Sequence, residues 1–538
     1  MKRIITLVMM LVMVTAMYAD IKPRFDKDTP AAVRQSKMKR HAFMSAHQPK
    51  QGGIGSQAVA PMKSIGHPKI PVVLVQFQDM KFSMACSNAI NDPDSVRRYF
   101  YLHFNGDGSG KLYQGSKNWG SVSEYFRDQS DGQFVPEFVM IGPVTLNENY
   151  SYYGKNETSS NYSITDLNIN IFYRELTQKA QNWATQRGID WMDFDNDGDG
   201  VVDILESVYA GYGENACDDP NTIWPKNSYG MVTVNGIKYQ SYLCTNELYS
   251  PNNPKCEGIG VICHEFCHSL GLPDFYDTNY IAYGLDYWDV MDSGCYCYGG
   301  YRPCALSAYE REFLGWDKLV TLEAGEEQTI TAYPMTDALY RGKGYKIVNP
   351  ENTNEYYVIE NRQSSPAGWD TNIGQGSKDR GYLSGLLITH IHYVENRWLA
   401  NTVNTVPSHQ LITLMPADGK LDSSMDFNLN IKDEMQYWFN SAGGDLYPGF
   451  KDVHEFKGEQ QTIYTPAKYM NQPVTDITQN TDGTITFRFC ASTVDDIQSV
   501  CSTASDTVFD LLGRRVGADN RQLPHGIYII NGKKVLVK

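Results

Sequence analysis

Cysteine is scarce in this chain, 11 in 538 residues, far below the density of a small disulfide-built scaffold. Positive charge is also short. Asp plus Glu number 62 against 47 Lys plus Arg, a formal net charge of −15. That balance excludes a general nucleic-acid binder, whose basic surface must replace phosphate counterions. No heptad run and no repeat period recurs, which leaves coiled coils and solenoids without support. Beyond residues 4–17, no apolar run approaches the ~20 residues of a membrane-spanning helix. What is present is a hydrophobic fraction of 41%, enough for substantial cores and too high for a mainly disordered chain. The length calls for several folding units. With 36 Tyr, 45 Gly and 24 Pro, many turns and half-polar surfaces are expected rather than long helices.

The start, MKRIITLVMMLVMVTAMYAD, places Lys2 and Arg3 before a short apolar run that ends in small residues. It reads as a secretory signal peptide over 1–19, cut after Ala19, with a retained anchor as the alternative. Export exposes the chain to oxidising conditions, where some cysteines are expected to pair. The odd total leaves at least one without an intramolecular partner. Residues 20–66 lack periodicity and read as a linker or short pro-segment. IPVVLVQFQD at 70–79 predicts a buried strand, being rich in Val and Ile. The Gly-rich FNGDGSG at 104–110 is expected to be a loop.

The most informative stretch is GIGVICHEFCHSLGLPDFYD, residues 258–277. His264 and His268 are four apart, so a helix stacks them on one face, where both imidazoles can reach one zinc ion. Glu265 lies beside them as a base for water activation. This is the His-Glu-x-x-His zinc-protease pattern. Ile259, Val261, Ile262, Phe266 and Leu270 can bury the flanks of the same helix. Gly271 can end it and turn the chain. Asp274, ten residues after His264, is then the expected third zinc ligand, with Asp277 as its rival. Three protein ligands leave a position open for water, as a catalytic site requires. Two histidines satisfied by ordinary packing, and a loop-capping role for Asp274, are the structural alternatives.

DNDGDGVVDILE at 195–206 has the spacing of a twelve-residue calcium loop. Asp195, Asp197 and Asp199 take positions one, three and five, the carbonyl of Val201 position seven, Asp203 position nine and Glu206 position twelve. A solvated acidic turn is the competing reading. No paired second loop is evident, so a bound calcium would act as a structural clip and not as a sensor.

Several of these segments together resemble the secreted immune-inhibitor-A-like metallopeptidases: SVSEYFRDQSDGQFVPEFVMIGPVTL (121–146), DGDGVVDILESVYAGYGEN (197–215), CHEFCHSLGLPDFYD (263–277), WDVMDSG (288–294) and ALSAYEREFLGW (305–316). The likeness covers about residues 68–320. It implies that His264, His268 and Asp274 hold zinc and that Glu265 is the base. WDVMDSG also resembles the Met-turn of metzincin-type proteases, with Met291 as an apolar floor under the ligands. Tyr296 is a further candidate as an oxyanion donor, against simple packing. Cys267 stands where that family usually has Gly or Ser.

From about 321 the texture changes to short runs rich in Ile, Tyr, Thr and Val, such as NEYYVIENRQ and GLLITHIHYV, which suggest strands. His390 and His392 share a strand face, where ordinary pairing is a stronger expectation than a metal. The final block, TVFDLLGRRVGADNRQLPHGIYIINGKKVLVK at 507–538, resembles the C-terminal sorting signal of type IX (Por) secretion. A terminal hairpin completing the preceding β region is the plainer reading.

The resulting expectation is an α/β metzincin-like zinc-peptidase domain at 67–320, a β-rich accessory region at 321–490, and a linker with a short C-terminal β sorting segment at 491–538. It is a secreted or surface-attached zinc endopeptidase with structural calcium, acting on proteins or peptides and met by secretion machinery at its tail. It has no nucleic-acid partner and no transmembrane segment in the mature chain. The alternatives are a zinc hydrolase of non-peptide amides and a surface-binding protein with an inactive site.

Overall fold

The computed structural model describes residues 17–20, 62–83, 92–108, 118–159, 162–217, 219–251, 253–323, 328–335, 342–366, 368–421, 434–457, 473–489, 508–511, 514–517, 526–530 and 533–537. Most of the expected leader and nearly all of the expected pro-segment lie outside these residues. Met17–Asp20, at the end of the expected leader, form β1.

A mixed sheet organises the first half. β2 (Lys69–Gln76) is buried from Ile70 to Val75, as expected of a central strand covered on both faces. Its side chains alternate between two cores: Val72 and Leu74 face one, Val73 and Val75 the other. β3 (Glu137–Thr145) runs parallel to β2, which in turn is parallel to β6 (Val201–Tyr212). Between β3 and β6 the chain forms a separate hairpin, β4 (Asn156–Ser159) with β5 (Tyr162–Asp166). β7 (Lys226–Val234) and β8 (Ile237–Ser250) then pair antiparallel, β8 parallel to β6, with β9 (Asn253–Cys256) against β8 and β1 along the outer edge of β7. The order is β1-β7-β8-β6-β2-β3.

Helices cover both faces. α1 (Pro93–Asn105) and α2 (Val122–Gln129) send Phe100, Phe104 and Phe126 into the first core. α2 opens on a full capping box, Ser121 to Glu124 N–H and Glu124 back to Ser121 N–H. α3 (Ile169–Thr185) covers the opposite face with Phe172, Leu176 and Ala180. α4 (Gly260–Ser269) carries the histidines and is buried along its whole length. α5 (Ala308–Phe313) follows.

The second half is rich in strands. β10 (Val320–Thr321), β12 (Tyr345–Val348), β13 (Glu355–Gln363), β14 (Ser384–His392) and β15 (Ile412–Leu414) make one sheet. β11 (Gln328–Ala332), β16 (Val474–Gln479) and β17 (Ile485–Phe489) make another. α6 (Glu395–Leu399) lies between β14 and β15, and α7 (Glu434–Asp445) follows β15. The core crosses the expected boundary at 320/321. Val358, Ile373, Leu387, Ile412 and Phe439 belong to the same buried cluster as Ile262, Phe266 and Met291. At the C-terminus β18 (Val508–Asp510), β19 (Arg515–Gly517), β20 (Gly526–Ile530) and β21 (Lys533–Val537) form a small sheet of their own. No helix among the described residues is long and apolar enough to cross a membrane.

Candidate metal centre

α4 is held tightly to its surroundings. A Cβ on Gly260 would fall 1.9 Å from the Cys295 carbonyl oxygen, so only glycine lets the helix lie this close to the turn after Met291. On the other side Asn227 of β7 donates to the Glu265 carbonyl (2.8 Å) and to Ser269 Oγ (2.6 Å), while its own oxygen accepts from Ser241 (2.9 Å). Gly271, at φ +98°, turns the chain after the helix as its sequence position suggests.

The turn brings Asp274 to the two histidines. Their rings are 4.8 Å apart and nearly perpendicular. His264 Nδ1 is 2.8 Å from the Val290 carbonyl and His268 Nδ1 is 2.7 Å from the Leu272 carbonyl. A carbonyl only accepts, so both Nδ1 atoms must carry the proton and both Nε2 atoms present lone pairs. Those lone pairs meet Asp274 Oδ1, at 3.1 Å from His264 and 3.4 Å from His268. All three atoms are buried and none takes a conventional hydrogen bond. Three acceptors turned on one point repel one another unless a cation stands between them, and one carboxylate with two imidazoles is a donor set that zinc accepts. The residues therefore fit the metal.

Glu265 is wholly buried beside this cluster. Asp277, the rival third ligand, is spent elsewhere: its carboxylate accepts from the N–H groups of Asn279, Ile281 and Ala282 and shapes the following loop. Met291 is fully buried, and its carbonyl accepts from Phe275 N–H (2.9 Å), joining its turn to the residue after Asp274. Asp289 and Asp292 fix that turn through Met291 N–H and through Leu285, Asp286 and Ser293 N–H. The Tyr296 hydroxyl accepts from Asn215 (3.3 Å). Cys263 and Cys267 are buried free thiols, their pKa values raised first by desolvation.

Several neighbours carry no sequence signal. Half-buried Tyr229 and Tyr280 have pKa values pushed well above the ordinary phenol, by desolvation first, then by Glu265 and Asp274 at Tyr229 and by Asp274 at Tyr280. Both remain protonated donors beside the site. Asn227 and Asn401, from distant parts of the chain, brace it. Only its match to the partner's shape distinguishes an asparagine of this kind, and the linear sequence does not display that.

The acidic loop before β6 is only partly assembled. Asp195, Asp197 and Asp199 bring carboxylate oxygens within 4.8 Å of one another. Asp195 accepts from Gly198, Asp199 and Gly200 N–H, and Gly198 and Gly200 take positive φ. Asp203 turns to Asn196, accepting from its N–H (3.1 Å) and side-chain amide (2.9 Å), and burial raises it to about 6. Val201 N–H donates to Asp199, and the residue then enters β6 opposite Lys238. Glu206 departs from the expectation. A twelve-residue calcium loop leads into a helix that returns residue twelve to the ion; here the chain enters a strand. Strand alternation puts Glu206 with Ile204 and Val208 on the α4 side of the sheet, fully buried, its pKa well raised by desolvation.

His390 and His392 take different partners. His390 Nε2 pairs with Glu355 (3.0 Å), while His392 Nδ1 meets His409 Nε2 (2.8 Å). Cys256 is disulfide-bonded.

Residues 60–318 match the family model described as Immune inhibitor A peptidase M6, catalytic domain. Two curated relatives are similar. One is the Pre-pro-metalloprotease PrtV of Vibrio cholerae serotype O1, 28% identical over 276 residues, covering 46% of this chain and 29% of the relative. Another is Immune inhibitor A of Bacillus thuringiensis subsp. alesti, 26% identical over 314 residues, covering 50% of this chain and 44% of the relative. The chain thus spans less than half the length of the curated relatives it matches. These likenesses support a mixed α/β metallopeptidase domain of the M6 kind.

Proposed function

We propose that the chain is an exported zinc-dependent endopeptidase that hydrolyses protein or peptide bonds. The observation that carries this reading is the convergence of His264 Nε2, His268 Nε2 and Asp274 Oδ1, buried and without conventional hydrogen bonds, beside the Glu265 carboxylate. Zinc held by these three residues supplies Lewis-acid polarisation of a carbonyl and a water acidic enough to ionise near neutral pH. Glu265 would be the base that takes a proton from the attacking water and the acid that returns it to the departing amine. The Val290 and Leu272 carbonyls hold the imidazoles in the required tautomer. Met291, buried in the same cluster as Val261, Ile262 and Phe266 of α4, is read as the apolar floor of a metzincin-type site. Tyr229, Tyr280 and Tyr296 are the candidate phenols for stabilising a developing oxyanion.

Calcium is a second element of the proposal, held by Asp195, Asp197 and Asp199 with Asp203 behind them. Passage through a type IX route, with release or surface attachment, rests on the C-terminal likeness.

The deciding experiment is digestion of a broad peptide library by the full chain, with and without a zinc chelator, alongside Glu265→Gln. Cleavage that stops on chelation, returns with zinc and falls by roughly 10²–10⁴-fold in Glu265→Gln, while that variant keeps its zinc, supports the reading. Undiminished cleavage by Glu265→Gln removes Glu265 from the mechanism.

A further inference from the structure

The metal site borrows a residue from beyond the part of the chain that matches the peptidase model. α6 ends at Leu399, and Asn401 follows in the left-handed region at φ +51°, with its N–H on the Trp398 carbonyl. This conformation, which asparagine tolerates better than most residues, aims its amide at Asp274. Asn401 Oδ1 accepts from Asp274 N–H at 2.7 Å, and Asn401 Nδ2 donates to Asp274 Oδ2 at 2.6 Å. The orientation of the amide is not ambiguous. Reversing it would set donor against N–H and acceptor against carboxylate.

The two bonds divide the labour of the Asp274 carboxylate. Oδ2 is held by Asn401, and Oδ1 alone is left facing His264 and His268. The turn bearing Asn401 is itself fixed. Arg397 donates to the Thr402 carbonyl at 3.0 and 2.6 Å, and Asn404 donates to the carbonyls of Phe275 and Ile412, both at 2.7 Å. Gln410 accepts from Gly284 N–H at 3.0 Å, further along the same loop. The β-rich half therefore grips the loop that carries the third ligand at three points.

We propose that Asn401 is a positioning residue that makes Asp274 a one-oxygen ligand, so that the affinity of the peptidase half for its metal is set from the β-rich half. The proposal rests on the reading of His264, His268 and Asp274 as metal ligands. Groups that orient metal ligands commonly change metal affinity by about 10–100-fold when removed. Here removal also leaves a buried N–H without a partner and lets the carboxylate rotate.

The test uses the full chain as wild type, Asn401→Gly, Asn401→Ser and His264→Ala. Zinc affinity is read by competition with a chromophoric chelator, and the metal-free proteins are unfolded in urea. Glycine keeps the left-handed backbone and removes both bonds; serine can serve only one of the two groups. Zinc affinity should fall by about 10–100-fold in Asn401→Gly and by less in Asn401→Ser, in metal-free proteins still folded at the assay temperature. Affinities within twofold of wild type overturn the proposal. So does a loss confined to variants whose metal-free form is unfolded, because the role is then only structural. If wild type holds zinc no better than His264→Ala, the ligand reading itself is wrong, an outcome distinct from the other two.

Discussion

Single carboxyl groups in this molecule differ more in surroundings than in chemistry, and three of them make separable predictions. Glu206 lies inside the sheet while Asp195 sits in the acidic loop. Calcium affinity, measured by titration calorimetry, should therefore fall in Asp195→Asn and stay unchanged in Glu206→Gln. An equal loss in both would return Glu206 to the ion. Glu247 on β8 accepts from the N–H groups of Ser83 (2.6 Å) and Gly211 (3.2 Å), yet burial raises its pKa from 4.5 to about 7. An acid raised in the folded state keeps its proton after the unfolded chain has lost it. Stability then falls as pH rises from about 4.5 to about 7, by an amount on the order of 2–3 kcal/mol from this group. Glu247→Gln should lack that component, so its stability relative to wild type should rise across the window. Urea unfolding at several pH values checks this, and a constant difference between the two proteins would contradict it.

At the scale of elements, the contact between α4 and the turn after Met291 is the tightest feature of the site. Gly260→Ala has no room for its methyl group against the Cys295 carbonyl. The helix must move away from the turn that holds His264 through Val290. A loss of about 1–3 kcal/mol is expected from overpacking of this kind, together with weaker zinc binding. Denaturant unfolding and metal content of the purified variant measure the two effects. The acidic loop at 195–200 leads directly into β6, a central strand of the sheet, so if it holds calcium as proposed, selective calcium removal with zinc kept in place should lower the melting temperature and speed self-cleavage. Unchanged melting and unchanged resistance to proteolysis would count against a bound ion there.

At the scale of the whole molecule, the core does not stop at residue 320. A fragment of residues 60–320 would expose the faces of Ile262's cluster that Val358, Leu387 and Ile412 cover. It should express as aggregate, or as a species that binds hydrophobic dyes and lacks near-ultraviolet dichroism; a monomeric fragment with a sharp thermal transition would show that the halves are independent. Much of the first half is legible from the chain alone. The apolar run at 70–76, the i, i+4 histidines and Gly271 are local patterns tied to local geometry. The changed texture after 320 also shows which region is β-rich. What is not legible is long-range. Asn401 is 127 positions from Asp274, and nothing in its neighbours in sequence marks it. Glu206 fits a twelve-residue spacing, but spacing assumes a helix after the loop, and a hydrophobic run such as VVDILESV suits a buried strand as well. His390 and His392 share a strand face as alternation requires, and Glu355 and His409, from other segments, decide what each one does.

Seven described cysteines are thiols outside any disulfide, and six of these are buried. Once folded, the six buried thiols are out of reach of disulfide exchange, since a sulfur that an exchange partner cannot reach cannot attack. Before folding they have no such shelter. In an oxidising compartment the chain is thus in a race, where burial must come sooner than mispairing, and slow maturation would leave cross-linked dead ends rather than merely delayed enzyme.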